Sequence, residues 1–404
     1  MHPAARFFEP YDPDKCRLCG RCLAECDIMR LPLAEAKAEI QRLRNGEPGH
    51  HVPYRCETCF ACSVACENNA NPASLFRQSF SKLYENEGLP AWSEHFQPHQ
   101  PDNFRRSAAN NCNREEREIT ESWKSLEPTE EFCYPGCNVT SVPLLTKTKL
   151  FNDLDIRGGF DYCCGETLFR QGMDQALRQT AARLDAWLDK LGAKRMTILC
   201  TAGYNIFTNV LPRYGLKHKL EITPFLKLID EGLEQGRWPI VNKLDMTVTL
   251  QDSCYTKVLG PEYAELPRRI LERIGVDIIE MPHCRENSFC CGIGAGFPVR
   301  IGHRTDRLIV GGNRVLAEAR ASKAQALGVY CAGCLMMLTS MKHFSPLLKP
   351  IYHLIELVQT AIGEKPQTRI GPRSRAMLLG AIRHQSPKLI SRKKFRMPPI
   401  EPLD

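Results

Sequence analysis

Long apolar stretches are absent from this sequence. No run approaches the roughly 18 residues that mark a membrane-spanning helix, and residues 1–15 lack the apolar core of a secretory signal. We therefore expect a cytoplasmic protein. A convincing dinucleotide-binding glycine fingerprint is also missing, so flavin or nicotinamide sites are expected to belong to a partner protein.

Net charge is absent from most of the chain. The 404 residues carry a formal charge of +8, and residues 365–404, with ten basic and two acidic side chains, account for all of it. The neutral remainder gives no electrostatic support for nucleic-acid binding. The basic tail predicts docking to an acidic partner or peripheral contact with anionic lipid on the inner face of the membrane. The alternative is a solvated, partly disordered end.

Cysteine is what the chain has in abundance. Twenty cysteines without an export signal indicate metal or redox ligands rather than disulfides. They fall in three blocks, and a segment rich in Asn, Pro, Gln and charge separates the first block from the second. These patterns predict a domain at 1–90, a linker at 91–128, two repeats at 129–240 and 241–364, and a tail at 365–404.

The first block contains two runs of identical spacing, Cys-x2-Cys-x2-Cys-x3-Cys, with a predicted helix at 33–44 between them. Such runs hold [4Fe–4S] cubanes, and in two-cluster ferredoxins the fourth cysteine of each run serves the other cluster. Zinc is the alternative, but zinc sites usually show separated Cys-x2-Cys pairs. The pattern therefore predicts a helical domain with two cubanes, one on Cys16, Cys19, Cys22 and Cys66, the other on Cys56, Cys59, Cys62 and Cys26.

The second and third blocks form an internal repeat: one cysteine, then a Cys-Cys-Gly turn, then a later cysteine. A repeat of this kind implies two related lobes facing each other across a pseudo-dyad. Short β-rich runs end near Cys200, Cys254 and Cys331 and alternate with helical stretches, which favours parallel α/β lobes with sites at the strands' carboxyl ends. The predicted fold class is α+β multidomain, with an N-terminal helical ferredoxin domain and two pseudo-symmetric α/β cysteine-rich lobes.

The two repeats differ in the number of ligands. The second repeat has five cysteines, one more than a zinc ion or a cubane requires, which suggests an open or irregular cluster. These five are Cys254, Cys290, Cys291, Cys331 and Cys334. The first repeat has Gly203 where the fifth cysteine belongs, so a cubane, a zinc ion or no metal all stay open for it. Its remaining candidate ligands are Cys137, Cys163, Cys164 and Cys200.

Residues 288–296 read Ser-Phe-Cys-Cys-Gly-Ile-Gly-Ala-Gly, with Cys254 before them and Cys331-Ala-Gly-Cys334 after them. This segment resembles the cysteine-rich CCG domain of heterodisulfide reductases. The same domain occurs in iron–sulfur subunits of anaerobic glycerol-3-phosphate, lactate and glycolate dehydrogenases. Two ferredoxin runs ahead of two CCG repeats are similar to the heterodisulfide reductase catalytic subunit and its relatives in sulfate reducers, over about residues 11–360.

The resemblance implies an oxidoreductase subunit of anaerobic respiration with a non-cubane [4Fe–4S] cluster as the catalytic site on the five cysteines of the second repeat. It leaves two functions open. The motif favours a cluster that reduces or forms a disulfide of a disulfide carrier, with electrons carried through the two cubanes. The alternative is an electron relay between a flavoprotein dehydrogenase and a cytochrome b or quinone-reducing membrane partner.

Overall fold

The computed structural model describes residues 3–403 of the chain. Its first part is helical, as predicted. The helix predicted at 33–44 follows Pro32 and ends before Asn45 and Gly46, where a positive φ of 79° stops it. Two four-residue helices occupy equivalent places in the two cysteine runs. The helices are α1 Arg21–Ala24, α2 Leu33–Arg44, α3 Val52–Arg55, α4 Ala61–Val64 and α5 Pro72–Glu87.

The segment predicted as a linker at 91–128 is folded. Asn113 begins its longer helix with a reciprocal capping box to Glu116, which satisfies two backbone amides at the helix start. Cys112, which the composition placed in a polar linker, is buried. The elements here are strand β1 Leu89–Pro90 and helices α6 Phe104–Ala109 and α7 Arg114–Ser122.

The first repeat contains a three-stranded parallel sheet in the order β2-β3-β4. Its long helix covers the span 174–191 that the pattern predicts, and Trp187 on that helix is fully buried against Phe132 of β2. The elements are β2 Glu131–Tyr134, α8 Glu166–Arg170, α9 Asp174–Leu191, β3 Arg195–Ile198, α10 Thr201–Asn205, β4 Glu221–Pro224 and α11 Phe225–Glu234.

The second repeat contains a four-stranded parallel sheet in the order β6-β5-β7-β8. Both central strands are fully buried at their carboxyl ends, as expected for strands covered by helices on two faces. The elements are β5 Met246–Gln251, α12 Thr256–Leu259, α13 Pro261–Arg273, β6 Val276–Ile278, α14 Thr305–Ala321, β7 Ala326–Val329, α15 Ala332–Met341, β8 Ile351–His353 and α16 Leu354–Ala361.

The basic C-terminal segment is part of the fold, so the alternative of a disordered end is wrong for its described residues. It forms helix α17 Ile370–Gln385 and strand β9 Lys394–Phe395, which pairs antiparallel with β1. Arg373 of α17 makes a buried ion pair with Glu116. The segment before the first repeat and the segment after the second repeat therefore pack against each other.

The chain is thus a mixture of helices and parallel sheets, in agreement with the predicted α+β class. Across residues 3–403, no helix combines the length and the apolar character needed to cross a bilayer.

Candidate functional site

All eight cysteines of the first block line one cavity of about 670 Å³. The two loops around it share an unusual backbone: the left-handed region is occupied by Leu18 and Gly20 in the first, and by Thr58 and Phe60 in the second. Non-glycine residues rarely adopt such angles, and they concentrate at ligand-holding loops. The matched conformations direct three cysteines of each run toward the same space, and the donor set fits two iron–sulfur clusters.

Burial and neighbouring cysteines of both runs raise the pKa values of these thiols. Burial raises the pKa of Cys22 to about 12, with further increases from the nearby Cys19, Cys16 and Cys66. Burial likewise raises the pKa of Cys26 to about 11, with a further increase from Cys59 of the other run. Cys66 therefore lies close to Cys22 of the first run and Cys26 close to Cys59 of the second, as crossed ligand sets require.

The five cysteines of the second repeat are brought together at the carboxyl edge of its sheet. Cys254 follows β5, Cys331 follows β7, and Cys334 lies in the first turn of α15. Their thiols are in hydrogen-bond contact as a series that runs from Cys254 through Cys290, Cys291 and Cys334 to Cys331.

Neighbouring thiols and backbone amides favour the ionised form of two sulfurs in this series. Hydrogen bonds from Cys290 and Cys334 lower the pKa of Cys291 to about 6 despite its burial. The pKa of Cys331 is also lowered, by hydrogen bonds from Cys200 and Cys334 and by backbone amides at the start of α15. Because the thiolate is the form of cysteine that ligates metal, the lowered pKa values of these two residues favour metal binding.

The first repeat retains the same local arrangement with four thiols. The Sγ atoms of Cys137 and Cys163 are 3.3 Å apart. Their counterparts in the second repeat, Cys254 and Cys290, are likewise in hydrogen-bond contact. At Gly136, where φ is 84°, a Cβ atom would lie 2.7 Å from the Cβ of Cys200, so only glycine fits. Gly203, which replaces the fifth cysteine, donates its backbone amide to the Cys200 sulfur at 3.5 Å.

The two repeats meet at their cysteines. The thiol of Cys200 is in hydrogen-bond contact with that of Cys331, its equivalent in the second repeat, and Cys200 also lies near Cys164. The nine thiols of the two repeats therefore form one continuous group. Within residues 3–403, no three His, Cys, Asp or Glu side chains are spaced for a single metal ion.

Arg170 joins this thiol group to the ferredoxin loops, a role that the sequence analysis missed. Its side chain is 1% exposed, and it donates to the Cys254 sulfur at 3.3 Å and to Glu166 at 3.0 Å. On the other side it donates to Thr58 Oγ1 at 3.0 Å and to the Glu57 carbonyl at 2.7 Å. The only signal in the sequence is position: Arg170 lies at the same distance from its Cys-Cys-Gly turn as Phe297, over which its guanidinium packs at 4.3 Å.

A second buried arginine, Arg105, lies against the first repeat. It donates to Asn138 at 2.9 Å, and its Nη1 atom is buried without a hydrogen-bond partner among the described residues. The cysteines at 137, 163 and 164 lie close enough to raise its pKa against the effect of burial. Arg105 belongs to the predicted linker, and nothing in the local sequence indicated that it would reach the thiols.

The three cysteines that belong to none of the predicted sites have other surroundings. Cys133 is buried within β2, and burial alone raises its pKa, so it does not supply the missing ligand. Cys112 is buried beside Arg373 and Glu116. Cys284 is half-buried and contacts Arg285, with its sulfur 3.8 Å from that guanidinium.

Two parts of the chain match known protein domains. Residues 10–67 match the family model of the 4Fe-4S dicluster domain, and residues 248–339 match that of the cysteine-rich domain. The chain joins these two domains. All eight cysteines of the first block fall within the first match and all five of the second repeat within the second, so the predicted resemblance is confirmed.

Several curated proteins are similar to this chain. The EtfAB:quinone oxidoreductase of Syntrophomonas wolfei is 25% identical over 176 residues, which are 41% of this chain and 24% of that protein. The probable iron-sulfur-binding oxidoreductase FadF of Bacillus subtilis is 27% identical over 211 residues, 51% of this chain and 29% of that protein. A probable membrane-anchored ferredoxin of Chromohalobacter salexigens is 28% identical over 196 residues, 46% of this chain and 28% of that protein.

The chain therefore spans less than a third of the length of these relatives. Among solved structures, a hypothetical protein from Helicobacter pylori matches with a TM-score of 0.47 and 12% identity, over 74% of this chain and 59% of that chain.

Proposed function

We propose that this chain is the electron-transferring iron–sulfur subunit of an oxidoreductase, with two cubanes in the ferredoxin-like domain and a non-cubane cluster on the five cysteines of the second repeat. Iron–sulfur clusters supply one-electron chemistry when bound. One observation carries the proposal: the cavity lined by the eight ferredoxin cysteines extends to Cys290 of the second repeat.

The chain's own residues support close coupling of these sites. Arg170 contacts the Cys56–Cys59 loop and the Cys254 sulfur with one guanidinium group. Phe60 and Phe169 stack with their ring centroids 6.1 Å apart, and Phe60 also packs against Tyr255. These three rings are at most 4% exposed, so bulk water does not separate the loop from the second repeat at this contact.

We propose a flavoprotein dehydrogenase as the electron donor and a quinone-reducing or cytochrome b membrane partner as the acceptor. The names of the relatives support this relay, because they include an EtfAB:quinone oxidoreductase and a membrane-anchored ferredoxin. The second candidate is reduction or formation of a disulfide. It is favoured by the fifth cysteine of the second repeat and by the continuous group of nine thiols.

We further propose that the first repeat retains a metal centre, either a cubane or a zinc ion. Its support is the retained contact of Cys137 with Cys163 and the buried Arg105, whose positive charge would compensate a thiolate centre. An uncompensated buried guanidinium is costly, so a negatively charged group beside it is expected.

An anoxic redox titration followed by EPR tests the relay against the disulfide function. If the chain is a relay, the oxidised protein gives the same EPR spectra with and without an added small alkyl thiol. Disulfide chemistry predicts a new paramagnetic signal on adding thiol to oxidised protein. That signal is lost in Cys334→Ser and retained in the control Cys284→Ser, whose sulfur contacts no ligand cysteine. Absence of any iron–sulfur signal would contradict both functions.

A further inference from the structure

Helix α17 has two opposite faces. Its inner face consists of buried residues at four-residue spacing: Arg373, Met377, Ala381 and Gln385. Its outer face carries exposed residues at helical spacing: Arg375, Leu379, Ile382 and Arg383. The outer face of a surface helix usually carries polar and charged residues, yet here Leu379 is 58% and Ile382 is 44% exposed.

The same character continues beyond the helix. Leu389 is 51% and Ile390 is 92% exposed, and three exposed cations follow after Ser391. We call this region the C-terminal surface; it consists of Arg375, Leu379, Ile382, Arg383, Leu389, Ile390, Arg392, Lys393 and Lys394.

The charge of this region is uncompensated. Residues 365–400 contain ten basic and no acidic side chains. Three of the ten are used within the fold: Arg373 pairs with Glu116, Lys388 pairs with Glu94, and Arg396 donates to backbone carbonyls of 85 and 86. None of the other seven forms an ion pair with another described residue; they are Lys365, Arg369, Arg375, Arg383, Arg392, Lys393 and Lys394.

The C-terminal surface lies close to the second repeat's thiols. Met377 and Ala381, on the inner face of α17, belong to the same apolar cluster as Cys290, Cys331 and Cys334. An α-helix with its side chains is about 10–12 Å across. Whatever binds the outer face of α17 is therefore separated from that cluster by one helix.

We propose that the C-terminal surface docks this protein on a membrane of anionic lipid. Cations bind the phosphate headgroups, while the exposed leucine and isoleucine side chains insert at the boundary with the acyl chains. An acidic protein surface would match the charges but would leave side chains as exposed as Ile390 in water or against polar groups. The mixture of unpaired cations and isolated aliphatic residues therefore favours lipid.

The test is co-sedimentation of the full, anoxically purified chain with lipid vesicles. We expect binding to vesicles of phosphatidylcholine mixed with phosphatidylglycerol, little binding to pure phosphatidylcholine, and partial release in high salt. Arg392→Gln/Lys393→Gln should lower the partition coefficient by about 30-fold, because each cation near an anionic surface contributes about five-fold. Leu379→Ser/Ile390→Ser should lower it by at least about 10-fold.

Matched controls make changes of the same kind elsewhere. Lys190→Gln/Lys219→Gln removes two exposed cations, and Leu126→Ser/Val241→Ser removes two exposed aliphatic side chains. Both should bind like the wild type. The proposal fails if the wild-type chain does not distinguish anionic from neutral vesicles, or if the C-terminal variants bind as tightly as the controls. Either result would leave the surface to an acidic protein partner, and neither depends on which cluster the second repeat holds.

Discussion

The thiols of Cys200 and Cys331 are hydrogen-bonded to each other across the boundary of the two repeats. They occupy equivalent positions, each directly after a parallel strand and at the start of a helix. Because Cys200 is the last cysteine of the incomplete repeat and Cys331 a ligand candidate of the complete one, the two sites are not independent. A change in the incomplete repeat is therefore expected to alter the complete one.

Cys200→Ala should weaken the second repeat's centre although Cys200 is not among its five candidate ligands. In chains whose first repeat holds no metal, Cys200 is a thiol, and its hydrogen bond is the first cause of the lowered pKa of Cys331, so its loss raises that pKa. Since metal binding requires the thiolate, protons then compete at higher pH. In an anoxic acid titration, the EPR signal of this centre should disappear at higher pH than in the wild type. Cys284→Ala should leave that pH unchanged.

Arg170→Gln should shift the midpoint potential of the second repeat's centre to more negative values. The guanidinium donates to the Cys254 sulfur, and a cation beside a cluster sulfur stabilises the reduced, more negative state. Arg170→Lys, which keeps the charge, should shift the potential less. The control is Arg314→Gln: Arg314 pairs with Glu57 at 2.6 Å and so perturbs the same loop without a hydrogen bond to a sulfur. Equal potentials in wild type and Arg170→Gln would contradict the role of Arg170.

The pair of Arg373 with Glu116 should anchor helix α17. Both side chains are at most 2% exposed, and removing one member of a buried pair costs about 3–5 kcal/mol because the other charge stays buried. Arg373→Met should therefore lower the free energy of opening α17, measured by amide hydrogen exchange, by about 3 kcal/mol. Arg373→Met/Glu116→Gln should recover most of this loss. Arg375→Gln, on the exposed face, should change it by less than about 0.5 kcal/mol.

The opening of α17 should depend on pH through His95. Burial, and then the charge of His384 stacked on it at 4.6 Å, lowers the pKa of His95 from 6.5 to about 4. His95 is neutral in the closed form at pH 5 but protonated once exposed, so opening becomes easier as pH falls through 6.5. The decrease in the opening free energy ends near pH 4, where His95 is protonated in the closed form as well.

Between pH 8 and pH 5, this difference amounts to about 2 kcal/mol in the opening free energy. His95→Gln can still donate to the Asp102 carbonyl, which lies 2.5 Å from His95 Nδ1, but it cannot titrate. Hydrogen exchange of α17 in this variant should lose that pH dependence, after correction for the intrinsic exchange rates. An unchanged dependence would assign the effect to another group.

Spacing along the chain predicted those features that local sequence determines. The two cysteine runs, the Cys-Cys-Gly turns and the strands that end at Cys200 and Cys331 each lie within a few residues, so periodicity and ligand spacing indicate them. The helices at 33–44 and 174–191 followed for the same reason.

Long-range contacts could not be predicted in this way. Arg105 is 32 residues before Cys137, and Arg373 is 257 residues after Glu116, so no local pattern connects them. Polar composition at 91–128 and 365–404 indicated loops, but buried ion pairs and caps satisfy those polar groups within the fold. The contact of Cys200 with Cys331 also required the packing of the two sheets, which only tertiary structure provides.

The most direct test of the proposed function is the quantity of iron and acid-labile sulfide in the chain purified without oxygen. Two cubanes and one further [4Fe–4S] cluster predict about 12 iron and about 12 sulfide per chain, with additional iron or one zinc if the first repeat is occupied. Cys334→Ser should lose the signal of one cluster and retain about 8 iron in the ferredoxin-like domain. Fewer than about 8 iron in the wild-type chain would contradict the account.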